Sequence, residues 1–427
     1  MRKYLSFLLL FVLTLTCFAG CGVGKEAEST DSEISESSVE SSLTEGSAES
    51  SSPESSVPSL PDEPIIPEDT RVSFMACPDN LVHHSMYYDA IEKAAEKNGV
   101  EPKYNDLHNN SYDFSPIYRF IAEDIKNADI SYINQESLIG GPEYPISAYP
   151  RFNTPDAMGH TVADLGFDVV NVAHNHVLDS RNTDFLKYSY NLFNSRGVEV
   201  LGYYPDQKST EDILIIERKG TKVAFLTYTY GTNGIPVKAP VVVDLIDENQ
   251  IVADVKKAKD NDAEVVCVCV HWGNEYERTP NREQRTMAEF LKRHGVEIII
   301  GSHPHVVQPM EMDSLGRVTL FSLGNFVSNQ RTRYRDGGLI ATIDVEIVDS
   351  VLLNESFSQR KSLNVTLEPV WVHLPDYAVM PREVGDTIPM SADSRRRYDR
   401  FMQDISDHIG ICKTADTHHH CHGKCQD

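Results

Sequence analysis

The sequence has no surplus of basic residues, because 64 aspartates and glutamates outnumber its 39 lysines and arginines. The formal net charge of −25 at pH 7 argues against nucleic-acid phosphate as a binding partner. Residues 22–69 alone contain thirteen acidic residues and one lysine. The remaining negative charge is spread over the rest of the chain, so charge alone identifies no substrate.

Regularly spaced cysteines are also lacking, although the chain contains eight of them. Cys77, Cys267 and Cys269 lie in apolar stretches typical of strands, where neighbouring positions cannot easily form a disulfide. The pattern therefore argues against a disulfide framework, and we expect these three thiols to be packing residues.

The apolar run at residues 5–18 is too short for a comfortable membrane span of about 20 residues. A basic pair precedes the run and a pair of small residues follows it, which is typical of a secretory signal. Residues 18–21 resemble a bacterial lipobox, with Phe18 at the position usually held by leucine. We predict that residues 1–21 are a lipoprotein signal peptide and that a lipid on Cys21 anchors the protein to the outer face of the cell membrane. A plain secretion signal or an uncleaved anchor is the alternative.

Three further regions follow the signal. Residues 22–70 are rich in Ser, Glu and Pro and have too few large apolar side chains to offset the entropy of ordering, so we predict a disordered tether. Residues 71–375 alternate short runs rich in Val, Ile, Phe and Tyr with amphipathic stretches, which indicates a layered α/β domain. Residues 376–427 are predicted to contain one helix, at 394–409, and a Cys/His-rich tail.

The elements of the α/β domain can be placed from the same alternation. Strands are predicted at 71–77, 129–134, 167–171, 198–203, 223–228, 264–271 and 296–300. Helices are predicted at 87–97, 116–126, 154–165, 184–195, 250–259 and 281–294. Extended segments that favour an antiparallel flank follow at 318–323, 339–347 and 365–374.

The tail contains seven thiol and imidazole groups close together in sequence, at Cys412, His418, His419, His420, Cys421, His422 and Cys425. Such groups can bind a borderline metal. A His-rich end with adventitious metal affinity is the alternative interpretation.

Polar residues of the metal-ligand type follow five of the predicted strands, at 78–80, 134–136, 174–176, 271–273 and 301–305. The carboxyl ends of strands in an open α/β sheet form the crevice where ligands bind. We therefore expect these five clusters to converge on one site.

The residue types in these clusters indicate a metal centre. Imidazoles together with carboxylates are the ligands of Zn, Mn or Fe, and we predict two divalent ions of this kind. Such a pair shares one bridging carboxylate, for which Asp79 and Glu136 are the candidates, and it can activate water for hydrolysis. His303 and His305 are two residues apart at the end of a predicted strand, and in a turn each can address a different ion.

Four motifs resemble those of the capsule-synthesis (CapA) proteins of the poly-γ-glutamate type. They are His-Asn-His-Val-Leu-Asp at 174–179, His-Trp-Gly-Asn-Glu-Tyr at 271–276, Gly-Ser-His-Pro-His-Val at 301–306 and Ser-Leu-Gly-Asn-Phe at 322–326. The resemblance covers roughly residues 71–330. Because that family is related to the calcineurin-like metallophosphoesterases, it implies a four-layer α-β-β-α sandwich of the metallo-dependent phosphatase type.

The resemblance also implies roles for individual residues. The metal ligands would be Asp79, Glu136, Asn175, His271, His303 and His305. His176 would be the general acid that protonates a leaving oxygen, and Asp179 would orient it. Two positions depart from the family pattern, since Pro78 replaces the usual glycine and Gln135 the usual leucine.

Substrate contacts are predicted at four residues near these motifs, His83, Trp272, Glu275 and Asn325. Helix capping is the alternative for His83, core packing for Trp272 and a solvated loop position for Glu275. Three arginines, Arg331, Arg333 and Arg335, follow the last motif and can present guanidinium groups to an anionic substrate, or form a solvated loop.

The resemblance implies a part in making, exporting, attaching or trimming poly-γ-glutamate or a related envelope polymer. The first hypothesis is a metal-dependent hydrolase that cleaves a phosphoester or an amide. The second is a non-catalytic accessory lipoprotein that binds the acidic polymer or its synthase complex. The third is metal handling by the Cys/His tail.

Overall fold

The computed structural model describes residues 71–180, 182–207, 212–348 and 360–409. The predicted signal peptide with Cys21, the tether at 22–70 and the Cys/His tail lie outside these residues. Within the described ranges, no helix combines the length and apolar character that a bilayer span requires.

The described chain alternates strands and helices in most of its length. The strands are β1 (Val72–Asn80), β2 (Ile130–Asn134), β3 (Val169–Asn171), β4 (Glu199–Leu201), β5 (Tyr203–Tyr204), β6 (Leu214–Arg218), β7 (Thr221–Thr229), β8 (Val242–Val243), β9 (Val265–His271), β10 (Ile298–Ser302), β11 (Met310–Met312), β12 (Val318–Leu320), β13 (Asn325–Val327), β14 (Gly337–Val348), β15 (Arg360–Val372) and β16 (Val379–Pro381). The helices are α1 (His84–Asn98), α2 (Ala122–Asn127), α3 (Asp156–Asp164), α4 (Thr183–Asn194), α5 (Glu248–Asp260), α6 (Arg282–Arg293), α7 (Arg382–Thr387) and α8 (Ala392–Ile409), with a 3-10 turn at Ser115–Tyr118.

Two large sheets organise these elements. The first has the order β16-β15-β14-β1-β2-β3-β4, with β13 added parallel to the end of β1. The second has the order β11-β12-β10-β9-β7-β6. The central strands of both sheets are parallel. Both flanks of the second sheet and the β14–β16 flank of the first sheet are antiparallel, whereas the other edge of the first sheet is formed by β4, which is parallel to β3. Strand β9 is buried along its whole length, as expected for a parallel strand that is covered on both faces.

The sheets pack face to face and helices cover their outer faces. The core between the sheets includes Phe74 and Phe225, whose rings meet edge to face at 5.1 Å. Apolar residues of α1, α3 and α4 pack on the outer face of the first sheet, and those of α5 and α6 on the outer face of the second. The predicted four-layer α-β-β-α arrangement is therefore confirmed.

Helix α8 extends this packed unit beyond the predicted boundary at residue 375. Its side chains Tyr398, Phe401 and Ile405 belong to the core between the sheets, and β16 pairs with β15 in the first sheet. The hydrophobic positions of α8 recur at helical spacing, so its burial follows from its own sequence pattern.

Two predicted elements are divided in the structure. The helix expected at 116–126 is interrupted because Ile121 has a φ of −128° and turns its side chain into the core under the first sheet. The strand expected at 198–203 breaks at Gly202, which has a φ of 98° and lies so close to Ala173 that a Cβ would meet it at 2.4 Å. Cys77, Cys267 and Cys269 are buried and unpaired, as expected for packing residues.

Candidate metal centre

The carboxyl ends of the central strands of both sheets meet at one place. Asp79 is the last residue but one of β1, Glu136 follows β2, and His271 ends β9. The predicted ligand residues Asp79, Glu136, Asn175, His271, His303 and His305 are all at most 4% exposed. The structure thus brings together side chains that are up to 226 residues apart in sequence.

Glu136 lies at the centre of this cluster. Its Oε1 is 3.7 Å from the Nε2 atom of His271 and 3.5 Å from the Nε2 atom of His305. Two groups of ligand atoms, each within 4.8 Å of one another, share this carboxylate. The first group is Asp79, Glu136 and His305, and the second is Glu136, His271 and His303.

Neither carboxylate oxygen of Glu136 has a hydrogen-bond partner among the described residues, although the side chain is fully buried. Burial of a carboxylate without a partner is costly unless a cation compensates its charge. Imidazoles that face the same carboxylate complete a ligand set for a divalent transition ion. The residues present therefore fit a metal, and each group can hold one ion.

Asp79 and His305 in the first group are each held by an amide side chain, which donates to Asp79 and accepts at His305. The Asn134 Nδ2 donates to Asp79 Oδ1 over 2.8 Å, and Asp79 Oδ2 lies 3.2 Å from His305 Nδ1. The same Nδ1 is 3.1 Å from the Asn325 Oδ1. With Nδ1 engaged by two oxygens, the His305 Nε2 is the nitrogen that faces Glu136 and remains available for a metal.

A chain of buried polar side chains supports Asp79 from behind. Thr227 in β7 donates to the Asn171 Oδ1 over 2.6 Å, and the Asn171 Nδ2 donates to the Asn134 Oδ1 over 2.9 Å. Asn134 in turn donates to Asp79, so the chain runs from the second sheet into the first. The sequence pattern had placed Asn134 among the polar strand-end residues but missed Asn171 and Thr227. The signal available for Asn171 was a polar residue at the end of an apolar run, whereas Thr227 lies inside β7.

The second group is held mainly by one hydroxyl and one amide. The Ser302 Oγ is 2.9 Å from His271 Nδ1, which leaves the His271 Nε2 facing Glu136. The same Nε2 is 3.0 Å from the Asn175 Oδ1. Asn175 donates through its Nδ2 to Asn233 over 3.1 Å, which orients its amide oxygen towards the cluster.

The backbone after β10 turns so that both histidines of residues 301–306 reach the cluster. His303 has a φ of 96° and His305 a φ of 54°, values in the left-handed region that non-glycine residues rarely adopt. The His303 N–H donates to Asp79 Oδ2 over 3.3 Å, and the Pro304 carbonyl accepts from the Tyr276 N–H over 2.7 Å. This turn meets the condition set by the sequence, because the two imidazoles address different ligand groups.

The buried environment shifts the protonation of these side chains. Burial lowers the pKa of His271 well below its ordinary value and that of His303 to about 3, and the neighbouring imidazoles add to both shifts. Burial raises the pKa of Glu136. Burial alone would lower the pKa of His305, but Glu136 and Asp79 outweigh it and raise that pKa to about 9. His271 and His303 are thus neutral near pH 7, which is the state that binds metals.

His176 lies beside the cluster and is 8% exposed. Its Nδ1 is 2.8 Å from Asp179 Oδ2, which also accepts the N–H of Phe152 over 3.0 Å. The Phe152 ring packs edge-on against the imidazole at 4.9 Å. Asp179 and Phe152 together fix the orientation of His176.

The residues predicted to contact substrate occupy different environments. His83 is half-buried at the start of α1, and its Nδ1 accepts the Asn329 N–H over 3.1 Å. Glu275 is exposed, and its negative charge helps to raise the pKa of His305. Asn325 is buried and holds His305, so the structure gives it a positioning contact.

Trp272 packs in the core between the second sheet and its helices. Its ring stacks on Phe321 at 6.0 Å, and its indole N–H donates to the Phe321 carbonyl over 2.9 Å. Trp272 therefore matches the core-packing alternative. It is buried, and these contacts show no surface of its side chain that faces the ligand cluster as a substrate contact would require. Its motif neighbour Tyr276 is 38% exposed and lies 6.3 Å from the His305 ring.

Tyr230 is a further aromatic residue at the cluster that the sequence did not single out. Its ring stacks on His271 at 6.2 Å and lies 4.8 Å from the His303 ring, while about half of it is exposed. It follows β7 directly, so the strand-end rule that selected the other residues could have found it.

Comparison with known proteins adds a family relationship. The sequence profile described as bacterial capsule synthesis protein PGA_cap matches residues 73–330. The capsule biosynthesis protein CapA of Bacillus anthracis is 28% identical over 250 residues, which cover 54% of this chain and 58% of that protein. The PGA biosynthesis protein CapA of Bacillus subtilis (strain 168) is 32% identical over 217 residues, which cover 48% and 56%. The match therefore spans less than two thirds of each relative's length.

Among solved structures, the NAD nucleotidase NadN of Haemophilus influenzae is similar to this chain with a TM-score of 0.37 and 11% sequence identity. The superposed region covers 78% of this chain and 56% of the NadN chain.

Proposed function

The chain belongs to the bacterial capsule synthesis protein PGA_cap family, and from this premise we propose that it is a metal-dependent hydrolase of the cell envelope. The observation that carries the proposal is the buried Glu136 carboxylate, which faces imidazoles on two sides and receives no hydrogen bond from the described residues. An accessory protein that kept only the shape of the fold would have no need to maintain this costly group.

Two divalent ions would share Glu136. Asp79, Glu136 and His305 would hold one ion, and Glu136, Asn175, His271 and His303 would hold the other. Of the two bridging candidates, Glu136 is favoured because it belongs to both ligand groups, whereas Asp79 belongs to one. The mixture of imidazole and carboxylate ligands favours Mn, Zn or Fe. When bound, such a pair supplies Lewis acidity that activates water and stabilises negative charge on the attacked group.

His176 would protonate the leaving oxygen. Asp179 engages the Nδ1 atom of His176, so Nε2 is the nitrogen left to exchange a proton with substrate. The Phe152 N–H holds the Asp179 carboxylate, and the Phe152 ring limits rotation of the imidazole. The chain itself thus supplies a positioned proton donor beside the ligand cluster.

We place this activity on the outer face of the cell membrane, where a lipid on Cys21 would anchor the chain through its tether. The substrate would be an acidic envelope polymer such as poly-γ-glutamate, or a phosphoester, and the synthase complex of such a polymer is the expected partner. The sequence features at residues 1–21 and the names of the two relatives support this placement. The alternative is an accessory protein that binds the polymer or its synthase without cleaving a bond.

Hydrolysis of a p-nitrophenyl phosphodiester by the full chain with added Mn²⁺ tests the proposal. We expect turnover that is lost in a His271→Ala and His305→Ala double variant. A matched His108→Ala and His294→Ala variant removes two exposed imidazoles and should keep the wild-type rate. Equal turnover in all three proteins would favour the accessory role.

His176→Ala separates the proton donor from the metal ligands. We expect turnover to fall by about 10²- to 10⁴-fold, the usual contribution of a general acid, while the bound metal is unchanged. Turnover and metal content are measured on the same preparation. Parallel loss of metal would show that His176 acts on the metal site and not on the leaving oxygen.

A further inference from the structure

The loop after β13 contains Arg331, Arg333 and Arg335, and two of these arginines have structural partners. Arg331 donates to the Val372 carbonyl over 2.8 Å and to the Ser328 carbonyl over 3.1 Å. Arg333 binds both carboxylate oxygens of Asp404, over 2.8 and 2.6 Å. Their guanidinium groups therefore hold the loop against its surroundings, and the anion contact expected from the sequence does not apply to them.

Arg335 has a different environment. Its guanidinium lies over the ring of Tyr276, 3.2 Å from the centroid. The side chain forms neither an ion pair nor a hydrogen bond with any residue in the described ranges. An arginine that stacks on an aromatic face keeps its N–H groups at the ring edge free for an anion.

Two contacts fix Arg335 next to the ligand cluster. The Asn325 Nδ2 donates to the Arg335 carbonyl over 2.8 Å, while the Asn325 Oδ1 contacts His305. Tyr276, on which Arg335 stacks, donates its backbone N–H to Pro304 and places its ring 6.3 Å from the His305 ring. Both ends of Arg335 are thus connected to the turn that presents His305.

The one nearby carboxylate outside the cluster that influences this ring is already engaged. Glu275 accepts a hydrogen bond from the side chain of Tyr276, which helps to raise the pKa of that phenol to about 12, after the larger effect of burial. The charge of Arg335 acts on the same phenol in the opposite direction. Glu275 nevertheless forms no ion pair with Arg335 within the described residues, so the N–H groups of the guanidinium remain available to an anion.

We propose that Arg335, held on Tyr276, is an anion subsite that binds a carboxylate or phosphoryl group of the substrate next to the ligand cluster. This inference rests on the proposed function, because it names a specificity-determining residue for that same site. The planar guanidinium can form two parallel hydrogen bonds to such an oxyanion, which a lysine cannot.

Calorimetric titration of the Mn²⁺-loaded full chain tests the subsite, with pentaglutamate as the carboxylate probe and inorganic phosphate as the phosphoryl probe. We expect Arg335→Met to weaken the binding of one of these anions by about tenfold or more, the effect of losing a charge-assisted hydrogen bond. Arg335→Lys should recover part of the loss. Pentaglutamine, the uncharged analogue, should bind equally to the wild type and to Arg335→Met.

Arg333→Met is the matched control, because it removes the same charge from the same loop at a residue paired with Asp404. Its anion affinities should stay within about twofold of the wild type. The probe that responds to Arg335→Met identifies the group that the subsite takes. Equal affinity of the wild type and Arg335→Met for both anions, or no binding of either anion by the wild type, would overturn the inference.

Failure of the subsite and failure of the proposed function are distinguishable. A chain that binds pentaglutamate through Arg335 but hydrolyses nothing supports the subsite and rejects the hydrolase. A chain that hydrolyses the phosphodiester while Arg335→Met changes no affinity rejects the subsite and leaves the hydrolase standing. Thermal unfolding of Arg335→Met, whose side chain can still pack on Tyr276, shows whether the variant is folded.

Discussion

The two ligand groups that share Glu136 differ in chemistry and in support. Asp79 and His305 combine a carboxylate with an imidazole, and Asp79 is supported by a hydrogen-bonded chain that runs from the Thr227 hydroxyl through the amides of Asn171 and Asn134. His271 and His303 are two imidazoles, and one hydroxyl, that of Ser302, orients His271. The cavity therefore offers one harder and one softer ligand set, so two identical ions should bind with unequal affinity.

The largest expected effect comes from removing what the two groups have in common. Glu136→Gln keeps the size of the side chain but removes the charge that both ions need, so the bound metal should fall from about two ions per chain to well below one. Elemental analysis after gel filtration measures this. Glu143→Gln, at an exposed loop position, should retain the wild-type metal content.

The same variant gives a second readout through stability. At free metal a hundredfold above Kd, each ion adds about 2.7 kcal/mol to the free energy of unfolding, so a chelator should lower the Tm of the wild type. The Tm of Glu136→Gln should not respond to the chelator. Two ions retained in Glu136→Gln would mean that the groups do not share a bridging ligand.

An effect of intermediate size is expected when the hydrogen bonds that support each ligand group are removed separately. Ser302→Ala leaves the His271 Nδ1 without its partner, and Asn134→Ala removes the hydrogen bond to Asp79. Loss of such a supporting contact typically weakens metal binding by about 10- to 100-fold. We expect each variant to weaken one of the two ions and to leave the other unchanged.

Competition with a metal-chelating dye resolves the two dissociation constants needed for this comparison. Thr319→Ala is a suitable control, because it removes a buried hydroxyl of the second sheet that has no hydrogen-bond partner among the described residues. If Ser302→Ala and Asn134→Ala weakened both ions equally, the cavity would behave as one cooperative site and the contrast between the groups would disappear.

The difference between the groups also shows what the sequence could predict. Ligand-type residues after apolar strands indicated all six clustered side chains, because strand ends meet at one edge of a sheet. The sequence did not decide whether Asp79 or Glu136 is the bridging carboxylate, because the answer depends on distances between strands of different sheets. The hydrogen bond from Thr227 to Asn171 joins residues 56 positions apart and has no local pattern.

The long elements of the fold could be predicted from the sequence, whereas the short ones could not. The buried strand β9 reads as a continuous apolar run, so its place in a parallel sheet could be inferred. Short elements such as β13, with three residues, contain too little periodicity to be recognised. Trp272 shows the limit of motif reasoning, because a residue in the middle of a ligand motif can serve the core.

The smallest expected effect concerns the tail, which contains cysteines and histidines of its own. Deletion of the residues after Ile411 removes these soft ligands but none of the six clustered side chains. Because the cluster is complete without the tail, the truncated chain should keep both tightly bound ions and lose only weakly held metal. Elemental analysis of the full and truncated chains, each washed with a weak chelator, measures the difference. Metal content near zero after truncation would assign the tight ions to the tail and remove the basis for comparing two groups around Glu136.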